Sequence, residues 1–151
     1  MTPAVVAARR AGIKFALHEY EHDPQAESYG LEAAERLGVD TARVLKTLVV
    51  EHDGSLSLAI VPVTAQLDLR ALGKRAALAD RAAAERATGS VVGGISPLGQ
   101  RKRLPAVLDE SALAFATVYV SAGRRGLELE LAPADLARLT GARVAAVASA
   151  R

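Results

Sequence analysis

Hydrophobic and polar positions along the chain follow two periods, and together these predict short strands interleaved with short helices. Residues 13–18 alternate between apolar side chains and polar or small ones, a period of two that is typical of a half-buried strand. Residues 2–11 carry helix signals instead: a threonine that can cap the helix, a proline in the first turn, and Gly12 as the stop. A second short amphipathic helix is predicted over 31–37, closed by Gly38.

The middle of the chain has the pattern of a β-hairpin. Residues 44–51 and 57–63 are rich in β-branched and other apolar side chains, and Asp53 and Gly54 lie between them. An Asp-Gly pair between two such runs is a strong signal for a tight turn, because both residues tolerate positive φ. The sequence therefore predicts an antiparallel hairpin over 44–63.

The rest of the chain combines short helices, a glycine-rich loop and further strands. Residues 66–90 predict short helices near 67–72 and 80–87, with a strand between them. Three glycines and a proline within 91–100 predict a loop. The pattern then predicts strands over 104–108, 116–121 and 127–131, a helix from Pro133 to Gly141, and a strand over 143–147. Because this order lacks a regular βαβ rhythm, the predicted fold class is α+β, a single mixed-sheet domain over 1–151.

Composition narrows the class of protein. The chain has 151 residues, of which 50% are hydrophobic but only 3% aromatic, so the core must be built from small aliphatic side chains. No apolar run approaches the roughly 20 residues that a membrane span needs, and the first residues lack the features of a signal peptide. A cytoplasmic protein without a membrane partner is therefore expected. The absence of cysteine excludes a disulfide framework, a cysteine-based zinc site and a cysteine nucleophile from the protein itself.

The chain carries little net positive charge, but its basic residues form two clusters. The formal net charge is +2, but Arg101, Lys102 and Arg103 form one run and Arg124 and Arg125 another, each beside glycine-rich sequence. Such clusters suit a surface that faces phosphates. Short basic runs also occur in solvated loops that only keep a protein soluble, and charge by itself leaves both interpretations open.

Familiar catalytic constellations are missing from the sequence. His18 and His22 lie four residues apart in a predicted strand, about 13 Å in extended chain, which is too far for one shared metal ion. We expect them to be surface histidines. No phosphate-binding loop, dinucleotide fingerprint or Gly-x-Ser-x-Gly elbow is present, so the sequence predicts neither cofactor nor metal nor a conventional hydrolase triad.

Lys46 is the exception within an apolar predicted strand. With a period of two it shares a face with Val44, Leu48 and Val50, which look like core positions. A lysine there either extends its stem to an edge or meets an anionic partner. The two hypotheses are an edge lysine with a packed stem, and a cation at the lip of a pocket that faces a phosphate or a developing oxyanion.

Two glycine-containing segments are the other candidates for chemistry. Gly93 and Gly94 let the backbone approach a ligand closely and turn amide groups toward it, although a tight structural turn would use the same residues. The basic run after them favours contact with an anion. Residues 121–126 form a second small-residue turn that carries cations.

Together these segments resemble the YbaK family of aminoacyl-tRNA deacylases, in particular its Cys-tRNA(Pro) deacylase branch. The matching stretches occur in the family's order and cover nearly the whole chain: MTPAV at 1–5, YEHDP at 20–24, VLKTLVV at 44–50, QLDL at 66–69, VGGISPLGQRKRLP at 92–105 and FATVYVSAGRRGLELEL at 115–131. The resemblance implies a curved mixed sheet with flanking helices, related to the editing domain of bacterial prolyl-tRNA synthetases. Its implied partners are an aminoacyl-tRNA, tRNA(Pro), and prolyl-tRNA synthetase.

The resemblance also assigns site residues. The family's invariant lysine corresponds to Lys46, and the substrate-binding positions correspond to Tyr20, Tyr29, Gly93, Ser121 and Glu128, with Gly94 beside the carbonyl-binding glycine. Glu128 stands where the family usually has aspartate, one methylene shorter. The basic runs at Arg101, Lys102, Arg103, Arg124 and Arg125 become candidates for contacts to tRNA phosphates.

Family chemistry implies a mechanism without a protein nucleophile. The substrate's own cysteine thiol attacks the ester carbonyl, and the enzyme holds the aminoacyl-adenosine in a bent, reactive conformation. We expect Lys46 to orient the terminal phosphate or the ester oxygen, and amides around Gly93 and Gly94 to stabilise the oxyanion. The alternatives are a deacylase of the same fold that acts on Ala-tRNA(Pro) through an ordered water, and a non-catalytic tRNA- or synthetase-binding module.

Overall fold

The computed structural model describes residues 1–149 as ten strands and four helices joined by turns, short 3-10 helices and longer loops. The helices are α1 (Pro3–Ala11), α2 (Tyr29–Leu37), α3 (Arg81–Thr88) and α4 (Pro133–Thr140). The strands are β1 (Phe15–Glu19), β2 (Leu45–His52), β3 (Ser55–Pro62), β4 (Gln66–Leu67), β5 (Ala77–Leu78), β6 (Ala106–Asp109), β7 (Val118–Ser121), β8 (Leu127–Leu131), β9 (Arg143–Ala145) and β10 (Ala148–Ser149).

These strands form mixed sheets, and the predicted α+β class is confirmed. One sheet has the order β1-β8-β7 and is antiparallel throughout. A larger sheet has the order β5-β2-β3-β6-β9, in which β6 runs parallel to both of its neighbours. β4 and β10 form a separate pair. An isolated parallel bridge between Val44 and Tyr119 connects the two main sheets at the start of β2.

Local signals in the sequence account for most element ends. Thr2 caps α1 by accepting the Val5 N–H at 3.3 Å, and Gly12 ends the helix with a φ of 68°. α2 begins two residues earlier than predicted because Ser28 is its N-cap and accepts the Leu31 N–H. The early start matters for the site, since it places Tyr29 in the first turn of this helix.

The predicted hairpin is confirmed. β2 and β3 pair from Leu45 opposite Pro62 to His52 opposite Ser55. Asp53 has a φ of 52° and Gly54 a φ of 79°, so both central residues occupy the left-handed region that a tight two-residue turn requires.

The prediction was less accurate in two segments that depend on tertiary contacts. The helix predicted near 67–72 is reduced to a 3-10 turn over Leu69–Ala71. The strand predicted over 143–147 ends at Ala145, because the Val147 and Ala148 N–H groups donate to Oδ1 of Asp109, each at 3.0 Å. The chain then leaves the sheet edge before β10 begins.

Small aliphatic side chains form the core, as composition predicted. The largest cluster packs α1 and α4 against the β1-β8-β7 sheet. A smaller cluster lies beneath the glycine-rich loop and joins it to the hairpin and α3 through Val49, Leu58, Ala84, Ile95 and Leu104. The loop that carries Gly93 is therefore anchored on packed secondary structure. None of the helices in the described part of the chain has the length and apolar character that crossing a bilayer requires.

Candidate active site

A cavity of about 450 Å³ lies between β2, the beginning of α2, the beginning of α3 and the glycine-rich loop. Its wall brings together five of the predicted site residues, which are distant in sequence: Tyr29, Lys46, Gly93, Ser121 and Glu128. Tyr20 and Gly94 do not line it. No histidine or cysteine is among the residues of this wall.

Lys46 reaches the cavity from a strand that is only partly covered. β5 pairs with β2 at Val50 and Glu51, and the Ala79 N–H donates to the Val49 carbonyl at 2.9 Å, so residues 45–48 of β2 border the cavity beyond the end of this pairing. Lys46 is half-buried there, while Val50 on the same face is fully buried. This position agrees with the pocket-wall hypothesis for Lys46, whose role stays a prediction.

Thr47 is a wall residue that sequence reasoning missed. Its Oγ1 is buried and has no hydrogen-bond partner within residues 1–149. A buried hydroxyl without a partner is uncommon and marks a position where a ligand group could bond. The sequence shows only that Thr47 is a polar residue next to Lys46. A period of two places Thr47 on the face of the strand opposite Lys46, so the pattern does not predict that both line one cavity.

Glu128 contributes a buried carboxyl group to the wall. It lies on β8, between His18 of β1 and Ser121 of β7, and is 6% exposed. Burial raises the pKa of Glu128 to about 8, because the ionised form loses its hydration. At neutral pH this side chain is therefore largely a neutral acid that can donate a hydrogen bond.

Tyr20 is not part of the cavity wall. Its backbone N–H donates to the Gly126 carbonyl at 3.0 Å, which fixes the end of β1 to the turn before β8. Burial, followed by the negative charge of Glu128 and Glu32, raises the pKa of Tyr20 to about 12. The phenol is therefore neutral throughout the physiological range.

The glycine-rich loop offers one backbone amide rather than two. Gly93 has a φ of 91°, and a Cβ added there would lie 2.1 Å from Cδ2 of Tyr29. The Gly94 N–H donates to the Val91 carbonyl at 2.9 Å. The expectation that both amides serve the oxyanion is therefore corrected: the turn uses the Gly94 amide, whereas the Gly93 N–H has no acceptor within residues 1–149.

Two of the five clustered cations donate hydrogen bonds to backbone carbonyls of the protein. Arg103 donates to the Thr140 and Leu139 carbonyls at 3.3 and 3.0 Å, at the carboxyl end of α4. Arg125 donates to the Val92 carbonyl, and its guanidinium lies 4.1 Å from the centre of the Tyr29 ring. These contacts compete with the predicted role of both arginines as phosphate ligands.

The other three cations are available at the surface. Arg124 is exposed and forms an ion pair with Glu19 at 3.2 Å. Arg101 and Lys102 are exposed and make no ion pair with any residue in the 1–149 range. Contact with phosphates remains a prediction for these three.

The histidines are more buried than expected. His18 pairs with Glu130 at 2.9 Å and His22 with Glu32 at 2.7 Å, so each is a half-buried partner of a glutamate. Over residues 1–149, the structure brings together no set of three histidine, aspartate or glutamate side chains suited to a metal ion.

The fold and the site define a class of protein, a small α+β domain whose cavity is lined by a lysine, a glycine-rich loop and a buried acid. Comparison with known proteins specifies it further. The profile of the aminoacyl-tRNA editing domain matches residues 23–139. The chain therefore belongs to the family of aminoacyl-tRNA editing domains, and its activity is aminoacyl-tRNA deacylation.

Individual relatives agree with that assignment. The chain is 35% identical over 136 residues to EbsC of Enterococcus faecalis, named as a candidate Cys-tRNA(Pro)/Cys-tRNA(Cys) deacylase, covering 85% of this chain and 83% of EbsC. A solved structure described as a candidate trans-editing enzyme for prolyl-tRNA synthetase is 28% identical, with a TM-score of 0.83 over 97% of this chain and 95% of that one. The hypothetical protein APE2540 is also 28% identical, with a TM-score of 0.87 over 97% and 99% of the two chains.

Proposed function

We propose that this protein removes cysteine from mischarged Cys-tRNA(Pro) in trans, with Cys-tRNA(Cys) as a second substrate. The name of EbsC, at 35% identity, supports both substrates, and the likeness to a candidate trans-editing enzyme supports prolyl-tRNA synthetase as the partner. Residues 1–151 act as one editing domain, in the cytoplasm where tRNA is charged.

The observation that carries the proposal is the composition of the cavity wall. It presents a cation and hydrogen-bonding groups, but no histidine or cysteine. The resemblance to the Cys-tRNA(Pro) deacylase branch implies that the nucleophile is the substrate's own thiol, and a wall of this composition is compatible with that chemistry. The thiol sulfur bonds to the ester carbonyl carbon, the carbon–oxygen bond to the ribose breaks, and the thiol proton passes to the departing ribose hydroxyl. The products are free tRNA and a cyclic thioester of cysteine.

The residues of the wall position this substrate. Lys46 holds the terminal phosphate or the ester oxygen, and the Gly93 N–H stabilises the oxyanion. Ser121 and Glu128 contact the amino acid, with Tyr29 as the aromatic side of the pocket. Holding thiol and carbonyl in contact is sufficient for a large acceleration, because effective molarities of well-oriented groups reach about 10⁵–10⁸ M.

The first test replaces the lysine. Lys46→Ala should lower deacylation of Cys-tRNA(Pro) by about 10²–10³-fold, the usual cost of removing one electrostatic contact to the reacting oxygen. Lys46→Arg should retain part of the activity, and the exposed Lys74→Ala is the control that should match wild type. Deacylation by Lys46→Ala at the wild-type rate would contradict the role given to this lysine.

The second experiment tests the substrate. Cys-, Ala- and Pro-tRNA(Pro) are compared with S-methylcysteinyl-tRNA(Pro), which has the shape of the substrate without its thiol. Turnover of the cysteinyl form alone is expected. Turnover of Ala-tRNA(Pro) would instead require a water nucleophile, and binding without turnover would identify a non-catalytic module.

A further inference from the structure

Two charged side chains hold the backbone of Val92, the residue before Gly93. Oε2 of Glu85 accepts the Val92 N–H at 2.9 Å. Arg125 donates to the Val92 carbonyl from Nε at 3.1 Å and from Nη2 at 2.6 Å. Hydrogen bonds to charged groups are about twice as strong as neutral ones. Glu85 of α3 and Arg125 of the turn before β8 therefore hold both the N–H and the carbonyl of Val92. We call these three residues the Val92 clamp.

Peptide geometry transmits the clamp to Gly93. The Val92 carbonyl and the Gly93 N–H belong to one planar trans peptide unit, in which they point in opposite directions. Arg125 therefore fixes the direction of the Gly93 N–H when it binds the carbonyl. A cation on that oxygen also polarises the unit and makes the N–H a better donor. A glycine has no side chain that could fix this plane by packing, so the constraint must come from its partners.

Tyr29 completes the arrangement. Its ring lies under the Arg125 guanidinium, 4.1 Å from centre to Cζ, and touches Gly93 so closely that no Cβ could be accommodated. Arg125 is thus engaged by a carbonyl and by an aromatic face. The hydrogen bond from the Val92 N–H also holds the pKa of the Glu85 carboxyl below its usual value, so Glu85 stays ionised while it accepts this bond.

We propose that Glu85 and Arg125 are positioning residues that aim the Gly93 N–H at the carbonyl oxygen of the substrate ester. The inference rests on the proposed function, in which that amide stabilises the oxyanion. It replaces the earlier expectation that Arg125 is a ligand of tRNA phosphates.

Steady-state kinetics on Cys-tRNA(Pro) separate the two roles of Arg125. Arg125→Ala should lower kcat by about 10–100-fold, somewhat less than complete loss of an oxyanion donor, while KM stays close to wild type. Arg125→Lys should be intermediate, because it keeps the charge but loses the planar fork. Arg138→Ala is the matched control, since it removes an exposed arginine whose ion-pair partner among residues 1–149 is Asp135, at 3.1 Å.

The opposite kinetic pattern would overturn the proposal. If Arg125→Ala raises KM and weakens its salt dependence while kcat is retained, the guanidinium binds phosphate. Should Arg125→Ala fail to fold, the milder Arg125→Lys and Glu85→Gln carry the test. Both act through Val92, so the kcat loss of the double variant should be smaller than the product of the single losses, and equality with the product would contradict the clamp.

A readout that does not depend on activity distinguishes failure of the clamp from failure of the proposed function. In ¹⁵N–¹H spectra, the Gly93 amide signal should shift in Glu85→Gln and Arg125→Lys but not in Arg138→Ala. If the wild-type protein deacylates none of the tested tRNAs, the proposed function fails, while this signal still decides the clamp. An unchanged Gly93 signal in both variants would overturn it.

Discussion

At the scale of single residues, Glu128 has the most altered chemistry. Its carboxyl is largely neutral at pH 7, since burial raises its pKa to about 8. An α-amino group titrates at about 7.7–8, in the same range. A cationic amino group that enters the cavity would therefore favour ionisation of Glu128. The carboxyl would lose its proton as this ion pair forms, rather than being ionised beforehand.

This shift also predicts how stability depends on pH. Between the usual glutamate pKa and about 8, the folded protein keeps a proton on Glu128 that the unfolded chain has lost. The free energy of unfolding should therefore fall as pH rises through this window, by at most about 1.4 kcal/mol per pH unit. Glu128→Gln cannot ionise, so its stability relative to wild type should increase from pH 5 to pH 8 in urea titrations.

Glu130, two residues along the same strand, is the matched control for this prediction. Hydrogen bonds from Thr117, and then from His18, hold its pKa below the usual value. Its contribution has the opposite sign, being present above the usual glutamate pKa and lost in acid. Glu130→Gln should thus be less stable than wild type at pH 7. A pH-independent difference for Glu128→Gln would contradict the assigned burial effect.

At the scale of elements, the sequence predicts features that depend on neighbouring residues, but not contacts between residues that are distant in the chain. The hairpin and the ends of α1 and α4 follow from turn residues, caps and glycines that lie within a few positions of each other. Arg125 is 33 residues from Val92, and Asp109 is 38 from Val147. A periodicity along the chain carries no information on such pairs, which is why the clamp and the break after β9 were missed.

The site residues were predictable for a different reason. Lys46 was conspicuous as a charge in an apolar strand, but Ser121 and Glu128 came only from resemblance to a family. Tyr29, Lys46, Gly93, Ser121 and Glu128 all line one cavity. Their chemical roles stay predictions, since proximity alone does not assign them.

Asp109 offers a test of how one side chain organises several elements. It is 4% exposed, and besides the Val147 and Ala148 amides it accepts the Ser111 N–H. Asp109→Ala would remove the acceptor of the buried Val147 N–H and of two less buried N–H groups, and should destabilise the fold by about 3 kcal/mol. Denaturant unfolding measures this. Asp40→Ala, which removes an exposed cap from the Ala42 amide, should cost no more than about 1–2 kcal/mol.

At the scale of the whole molecule, the structure reduces the number of clustered cations that are available to contact RNA phosphates. The sequence shows five clustered cations, but Arg103 and Arg125 are bound to backbone carbonyls. A surface that meets phosphates would then rely on Arg101, Lys102 and Arg124. The modest net charge of +2 leaves selection of the tRNA to other contacts, and the proposed synthetase partner would supply them.

Salt dependence tests this division of the cations. For a single-stranded acceptor end, log affinity changes with log salt by about 0.7 per phosphate contact, so three contacts predict a slope near 2. Alanine at Arg101, Lys102 or Arg124 should each reduce that slope, as measured by KM at several KCl concentrations. Arg103→Ala should lower stability and leave the slope as it is. A slope reduced equally by Arg103→Ala would argue for a fourth contact, from Arg103.

The contact between Gly93 and Tyr29 restricts how this protein can evolve. Any residue larger than glycine at 93 collides with the ring, and loss of the ring alone removes the aromatic side of the cavity. A lineage that changes either position must therefore pass through a defective intermediate or change both together. We expect the two positions to be inherited as a pair, so substrate preference should diversify elsewhere on the cavity wall, at places such as Thr47 that do not share this contact.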